Sequence, residues 1–363
     1  MVEAFTNFFS KSNQAIGIEL APERVNLVQL RKQRHGLKLA SLTTVSVPEG
    51  IFADGQITDS SAMSEIIRQA IVESKTRASR VATCIPGRNA ILRLVNVPAE
   101  LNDEELRVMI LNYEADLYLP YPREEADVDY QKLEYFIDED GLEKVRVLLV
   151  ATRKDVTQTY LDTFEKAGLT VDILEIKSFA LIRTIRDQLR LLETTEAAVL
   201  VDIEFDNTEI AIIINGVPEF SRTVPIGTYQ IKTAMSKAMN LPISRDMDML
   251  DSIIIPANST AIDTNPGIDS ILEVLGELAD ELSRTISFYL NQRENLQVVQ
   301  ILLAGPGGGI QNIDEFFAEK MGLPTMQIDP IACLSLNVDM EKYPLIKRPG
   351  LSIVMGLGLR GIQ

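Results

Sequence analysis

At 363 residues the chain is too long for one ordinary core, and two or three domains are expected. Its 52 acidic against 35 basic residues give a formal charge of −17, which argues against a nucleic-acid-binding face and against direct electrostatic adhesion to anionic lipid. Two distant cysteines, Cys84 and Cys333, and one histidine, His35, leave no means of assembling a zinc cluster or a histidine-based triad.

No apolar run approaches the roughly 18–20 residues that span a bilayer. The start lacks the basic region, apolar core and cleavage site of a signal peptide, so a cytoplasmic protein with reduced, buried thiols is expected. Residues 1–13, MVEAFTNFFSKSN, place Val2, Phe5, Phe8 and Phe9 on one helical face. That face suits an end docked on its own domain, or a short handle for a partner or a membrane surface.

From Ala15 to Leu30 an apolar strand closes on Glu19, turns through Ala21–Glu23, and runs out again from Val25. The pattern predicts strands at 15–20, 25–33 and 37–47, then a helix capped by Ser60 or Ser61 and running to about Thr76. Strands are expected at Arg80–Pro86 and Asn89–Val97. Asn102 then caps a helix that opens on Asp103, Glu104 and Glu105 and is stopped by Pro120 and Pro122. Strands at 127–138 and 143–151, a helix at 154–167 ended by Gly168, and a strand at 169–176 complete what reads as an inserted α+β unit, 81–176.

The strand–carboxylate–turn–strand unit returns in VLVDIEFDNTEIAIIING, Val199–Gly216, where the strand closes on Asp202 and turns through Glu204–Asn207. Strands at 196–203, 208–214 and 217–224 and a helix from Gly227 to Asn240 repeat the earlier β-β-β-α order. The expected fold is therefore α/β, duplicated and two-lobed, with a phosphate-binding hairpin in each lobe. Leu241–Pro266 is poorly patterned around an Ile253–Ile255 strand. A long amphipathic helix follows over Gly267–Gln292. A buried strand, Val298–Leu303, opens into GPGGG and a helix, and the small apolar run Gly350–Gly361 suits a tightly packed closing helix.

These elements fall in the order seen in actin-like ATPases of the ribonuclease H-like fold. Within them the chain resembles the PilM family of type IV pilus assembly proteins and, more distantly, FtsA. Tyr113–Pro122, YEADLYLPYP, is similar to the family's EAxxYIPFP segment. ILRLVNVP at Ile91–Pro98, the run Ala167–Leu181, RTVPIG at Arg222–Gly227 and GLGLRG at Gly356–Gly361 are similar too. The resemblance implies a first-lobe core of 1–80, 177–195 and 345–363, an FtsA-like insertion at 81–176, and a second lobe of 196–344. It also implies a protein peripheral to the cytoplasmic face of the inner membrane, held there by the N-terminal peptide of PilN in a groove between first-lobe core and insertion. The groove is expected to involve the insertion's strands and the helix carrying Glu114, Tyr118 and Tyr121. The wider partners implied are the PilN–PilO alignment complex and the pilus motor ATPases; the membrane is reached only indirectly.

The implied cofactor is ATP with Mg²⁺, and the positions that match are Glu19, Asp202, Asn207, Thr208, Gly305, Gly307 and Gly308, with Asp202 organising the metal. The departures are chemical. Against the family's DIGSSSVK, Glu19 stands for Asp, Ala21 for Gly, Pro22 offers no N–H, Glu23 and Arg24 replace hydroxyls, and Asn26 replaces Lys. Against DIGAEST, Glu204 takes a Gly position and Asn207 a Ser position, while Asp202 and Thr208 are kept. Arg245–Asp251 offers no counterpart of the AExxK helix. The plainer readings are a strand-end carboxylate bonded to its own turn for Glu19 and Asp202, and a strand-to-helix turn for the glycines. The expectation is a scaffold with a degenerate nucleotide site, no catalytic residue and little or no ATPase activity. The alternative is an active actin-like ATPase that switches partners with nucleotide; a sugar or acetate kinase lacks its phosphate hairpins here.

Overall fold

Five buried or half-buried strands in each half adopt the same order, so the duplication read from the hairpins is a duplication of sheets. The computed structural model describes residues 15–34, 36–245, 247–256, 265–293 and 295–362; the Phe-rich segment 1–13 and His35 lie outside the described residues. The first half runs through β1 (Ile16–Leu20), β2 (Arg24–Gln33), β3 (Gly36–Ser46), a small hairpin of β4 (Phe52–Ala53) and β5 (Gln56–Ile57), α1 (Ser60–Ser74) and β6 (Arg80–Ile85). The cap of α1 is Asp59, not Ser60 or Ser61. Its carboxylate accepts the Ala62 amide at 2.9 Å, which satisfies a first-turn N–H.

Next come β7 (Ala90–Pro98), α2 (Asp103–Val108), a π-turn over Met109–Glu114, α3 (Ala115–Tyr118), β8 (Ala126–Ile137) and β9 (Glu143–Arg153). The expected cap holds: Asn102 accepts the Glu104 and Glu105 amides, and Glu105 answers by accepting the Asn102 amide. The chain then returns through α4 (Lys154–Lys166), β10 (Thr170–Ile176), α5 (Lys177–Thr184) and α6 (Arg186–Leu189).

The second half holds β11 (Glu196–Ile203), β12 (Thr208–Ile214), β13 (Val217–Val224), α7 (Thr228–Ala238), α8 (Pro266–Leu290), β14 (Gln297–Ala304), α9 (Ile313–Met321), β15 (Thr325–Gln327), α10 (Pro330–Cys333) and α11 (Ser352–Arg360). The expected strand at Ile253–Ile255 is a single bridge between Ile254 and Gln311. No described helix is long and apolar enough to cross a membrane.

The first sheet has the order β10-β6-β1-β2-β3 and the second β13-β12-β11-β14-β15. Each is an antiparallel meander with parallel strands added beyond its first strand. Sheet membership divides the segment 81–176. β6 and β10 pair in parallel with the first-lobe sheet, and Tyr160 and Phe164 of α4 share its core with Ile67 of α1. Only 90–153 builds a separate sheet, β7-β9-β8, covered by α2, the π-turn and α3.

Alternation along the strands sets what the two lobes show each other. Ala197, Val199, Val201 and Ile203 pack on α8, whereas Ala198 and Leu200 join Ala180 and Leu181 of α5 and Leu357 of α11 in an apolar layer between the lobes. Asp202 and then Glu204 continue that second row, so the parity that buries Leu200 between the lobes sends two carboxylates into the cleft beyond it. In β1 the same rule puts Ile16, Ile18 and Leu20 in the first-lobe core and Gly17 and Glu19 on the opposite side.

The closing helix packs by close approach. A Cβ on Gly17 would lie 2.5 Å from the Gly358 nitrogen, and one on Gly356 would collide with the Ala180 carbonyl oxygen. Gly356→Val is therefore expected to cost about 3 kcal/mol by overpacking. Chemical denaturation should show this as a loss of stability, and an unchanged midpoint would contradict the packing described.

Candidate functional site

The ends of β1 and β11 meet in the cleft, and the side chains there form a buried ionic cluster. Arg24, 1% exposed, opens β2 and reaches across to the second lobe. Its Nη2 donates to Oε1 and Oε2 of Glu204, each at 3.1 Å, and to Oε1 of Glu19 at 3.4 Å, while Nη1 bonds Glu23. Lys177, the first residue of α5, sets its Nζ 3.5 Å from Glu204 and 3.6 Å from Glu19. Asn26 donates to Glu19 at 3.1 Å and is itself fixed by the Thr44 hydroxyl at 2.7 Å. On the rim Arg88 donates to Asp206 at 2.8 Å, the Gly87 amide donates to Glu209 at 3.3 Å, and Arg245 donates to the Pro22 carbonyl at 2.9 Å.

Five carboxylates of the cluster, Glu19, Glu23, Asp202, Glu204 and Glu209, face two buried cations, Arg24 and Lys177. The imbalance shows in the protonation equilibria. Burial alone would discharge Arg24 and Lys177, but Glu204 first, with Glu19 and other acids behind it, outweighs burial and pushes both pKa values up. Burial would also raise Glu204; Arg24 and then Lys177 win, and its carboxyl sits below the usual range. Glu23, Asp202 and Glu209 go the other way, raised chiefly by burial, with Glu204 adding repulsion at each. Asp202 Oδ1, Glu209 Oε1 and the Ser178 hydroxyl find no hydrogen-bond partner among the described residues, and the three residues line one small cavity.

The cluster occupies the place where two phosphate hairpins would close on a nucleotide. A cavity of about 20 Å³ remains beside Lys177, Asp202, Glu204 and Asn207, room for about one water. A triphosphate with Mg²⁺ does not fit between the hairpins as they stand. The surviving matches are also engaged within the chain: the Thr208 hydroxyl donates to the Ile226 carbonyl at 2.6 Å, and the Asn207 amide to Asp206 at 2.6 Å. Gly305 takes φ +74°, and a Cβ there would meet the Ile203 carbonyl and lie 2.8 Å from Asp202 Oδ1. Gly307 is held against Ile203 and Gly308 against Leu303, so close packing of the strand-to-helix turn accounts for the glycines. An open cavity of about 590 Å³ lies farther out, lined by Arg24, Arg245, Asp251, Pro306, Tyr343 and Gly350 among others; Glu19, Asp202, Asn207, Thr208, Gly305, Gly307 and Gly308 do not line it.

A second large concavity, about 720 Å³, lies between β8 and β10. Both are edge strands of their sheets, so each turns an unpaired backbone edge outward. Asp127 and Asp129 of β8 put carboxylates in its wall, Asp172 pairs with Arg80 and Glu175 with Arg183, Arg360 also lines it, and Leu148, Val150, Ile173, Leu174 and Phe179 give an apolar lining. Arg183 is clamped by both oxygens of Glu175, at 2.6 and 2.7 Å. Glu114, Tyr118 and Tyr121 do not line this groove. Glu114 closes the π-turn, Tyr118 ends α3, and the Tyr121 ring lies under the Arg153 guanidinium at 5.5 Å.

Glu23, Arg24 and Glu204, departures from a phosphate site in the sequence, are joined in the fold through the Arg24 guanidinium, and Lys177, Arg88 and Glu209 belong to the same cluster although no sequence motif marks them. The available signal was charge at strand ends that are otherwise wholly apolar.

The family model described as type IV pilus assembly protein PilM matches residues 17–362. A solved PilM–PilN type IV pilus biogenesis complex superposes with TM-score 0.81 at 22% identity, covering 96% of this chain and 99% of that one. The ethanolamine utilization protein EutJ of Carboxydothermus hydrogenoformans gives TM-score 0.51 at 13% identity, over 95% of this chain and 89% of its own. MreB5 of Spiroplasma citri, solved with AMPPNP, gives 0.50 at 12%, over 95% and 94%. These likenesses show an actin-like ATPase fold.

The opposed carboxyl shifts make a pH prediction. Asp202, raised in the folded chain, keeps a proton that the unfolded chain releases, so its contribution falls as pH rises above its unfolded value. Glu204, lowered, contributes above its unfolded value and loses that contribution as pH falls through its folded one. Asp202→Asn should thus raise stability near pH 8, read as a higher denaturation midpoint, and flatten its fall with pH. Glu204→Gln should lower stability by about 3 kcal/mol at neutral pH and move the midpoint down. Midpoints that move the same way in both variants would contradict these assignments.

Proposed function

Because the chain belongs to the PilM family of type IV pilus assembly proteins, we propose that it is a docking scaffold, recruited to the inner-membrane face by the N-terminal peptide of PilN. The groove between β8 and β10 carries this reading. Two unpaired strand edges can accept an extended segment as an added strand, and the apolar lining, with Asp127 and Asp129 on the β8 wall, suits a peptide bearing apolar and basic side chains. At about 3.3 Å per residue, a few residues would fill it. The related complex pairs a PilM with a PilN, which supports the choice of partner. Through PilN the chain would join the PilN–PilO alignment complex and connect it to the motor ATPases.

In this reading the nucleotide site is degenerate. Phosphoryl transfer needs a positioned water and donors on the transferred group. Where those should be, the hairpins present Pro22, Glu23 and Glu204, and the Arg24 guanidinium bridges them. The open cavity of about 590 Å³ keeps the second reading in play, an actin-like ATPase whose nucleotide switches its partners. Equilibrium dialysis with labelled ATP and Mg²⁺ separates the two: the scaffold reading expects no saturable binding, and binding abolished by Asp202→Ala would establish the second.

Calorimetric titration with a synthetic PilN N-terminal peptide, without nucleotide, is expected to give micromolar or tighter binding. Leu174→Glu and Asp129→Lys should weaken it about tenfold or more, equivalent to about 1.4 kcal/mol. Tyr118→Ala should leave it unchanged, since Tyr118 lies outside the groove. No heat and no shift of protein NMR signals would overturn the docking reading; loss in Tyr118→Ala alone would move the site to the helix.

A further inference from the structure

The cleft contacts have a direction. Arg24, Lys177, Arg88 and the Gly87 amide all belong to the first half of the chain, and all reach one turn of the second, residues 204–209. Arg245 answers from the second half by bonding the Pro22 carbonyl of the first hairpin, and its guanidinium stacks 4.5 Å from the centre of the Phe205 ring. The inner contacts are almost wholly dehydrated: the side chains of Arg24 and Glu204 are 2% and 4% exposed.

In a two-lobed fold of this kind, closure needs something that both hairpins bind, and a ligand can shift the lobes only by its preference for the closed arrangement. Here that preference is supplied within the chain. A guanidinium is planar, delocalised and always charged, so Arg24 can hold carboxylates from both hairpins at once. It stands between the hairpins as a bound cation and its phosphates would. Separating the lobes would strip Glu204 of both of its cations, and unpairing a dehydrated charge is far more costly than parting a surface pair. Because the bonds share partners, they strengthen and fail together.

We propose that the Arg24–Glu204 bond, braced by Lys177 and by the Arg88–Asp206 pair, is a built-in latch that holds the two lobes closed in place of a nucleotide and its metal. Lobe closure is then a property of the sequence, and partner docking proceeds on a frame whose geometry does not follow nucleotide supply. This inference is independent of the groove: the latch can hold whether or not a PilN peptide binds, and the peptide can bind if the latch is absent.

Spin labels on exposed positions of α1 and α8, Gln69→Cys and Ser283→Cys with Cys333→Ser, report the interlobe distance by pulsed dipolar spectroscopy. The unlatched comparison is Arg24→Ala. With Arg24 intact the distribution should be narrow and unmoved by ATP and Mg²⁺; Arg24→Ala should broaden it and shift its mean to longer distance. The charge exchange Arg24→Glu with Glu204→Arg should recover part of the narrow distribution. If Arg24→Ala fails to fold, Arg88→Ala, which removes the part-buried interlobe pair with Asp206 and a long contact to Asp54 within the first lobe, is expected to give a smaller broadening in the same direction. A narrow distribution that persists in both variants overturns the latch. So does a broad one with Arg24 intact that narrows only on adding ATP and Mg²⁺.

Discussion

The structure turns on one dehydrated guanidinium. Arg24 sits where the two sheets point their strand ends at each other, and its bonds to Glu19, Glu23 and Glu204 make a single electrostatic unit of two hairpins 180 residues apart. Removing one partner from such a unit leaves the others buried and unpaired, which typically costs about 3–5 kcal/mol. The cluster is also over-supplied with acid. Raised carboxyls at Glu23, Asp202 and Glu209 relieve that excess, and they tie the cleft's stability to pH in a sense opposite to that of Glu204.

Around this point the duplicated architecture supplies two kinds of contact between lobes. At the base of the cleft, apolar side chains of alternate parity on β11, β12 and β14 pack on α5 and α11. At its mouth, the rows of β11 and β12 end in carboxylates, Asp202 and Glu209. The apolar layer is what any two-lobed fold of this type needs to stay one body. The ionic mouth is built from Glu23, Arg24 and Glu204, positions at which this chain departs from a phosphate-binding hairpin. The groove between β8 and β10 lies on the far side of β1 and β6 from β3, and the insertion supplies one wall.

Much of this was legible in the sequence, and the misses share a cause. The two meanders, the long α8 and the close-packed α11 follow from local patterns: period two, period three to four, and small residues at a crossing. The Asn102 cap is legible because the acidic first turn it opens, Asp103 to Glu105, follows it directly in the chain. The boundary of the insertion was not, because β6 and β10 join the first-lobe sheet by pairing with strands far away in the chain, and nothing local distinguishes them from β7. The same holds for the cleft. Glu23, Arg24 and Glu204 are visible as substitutions, but their sense depends on a contact across 180 residues, and Lys177 looks like an ordinary first-turn lysine until α5 is placed. Asp202 is legible as a carboxylate at a strand end, whereas its burial and its unpartnered oxygen are products of tertiary packing.

The most direct measurement is a crystal structure obtained after soaking with ATP and Mg²⁺ at millimolar concentration. Electron density showing Arg24 still bonded to Glu204, with no phosphate or metal between the hairpins, is the result this account predicts. A triphosphate and metal ion seated between Glu19 and Asp202, with the Arg24 side chain swung out of the cleft, would contradict it.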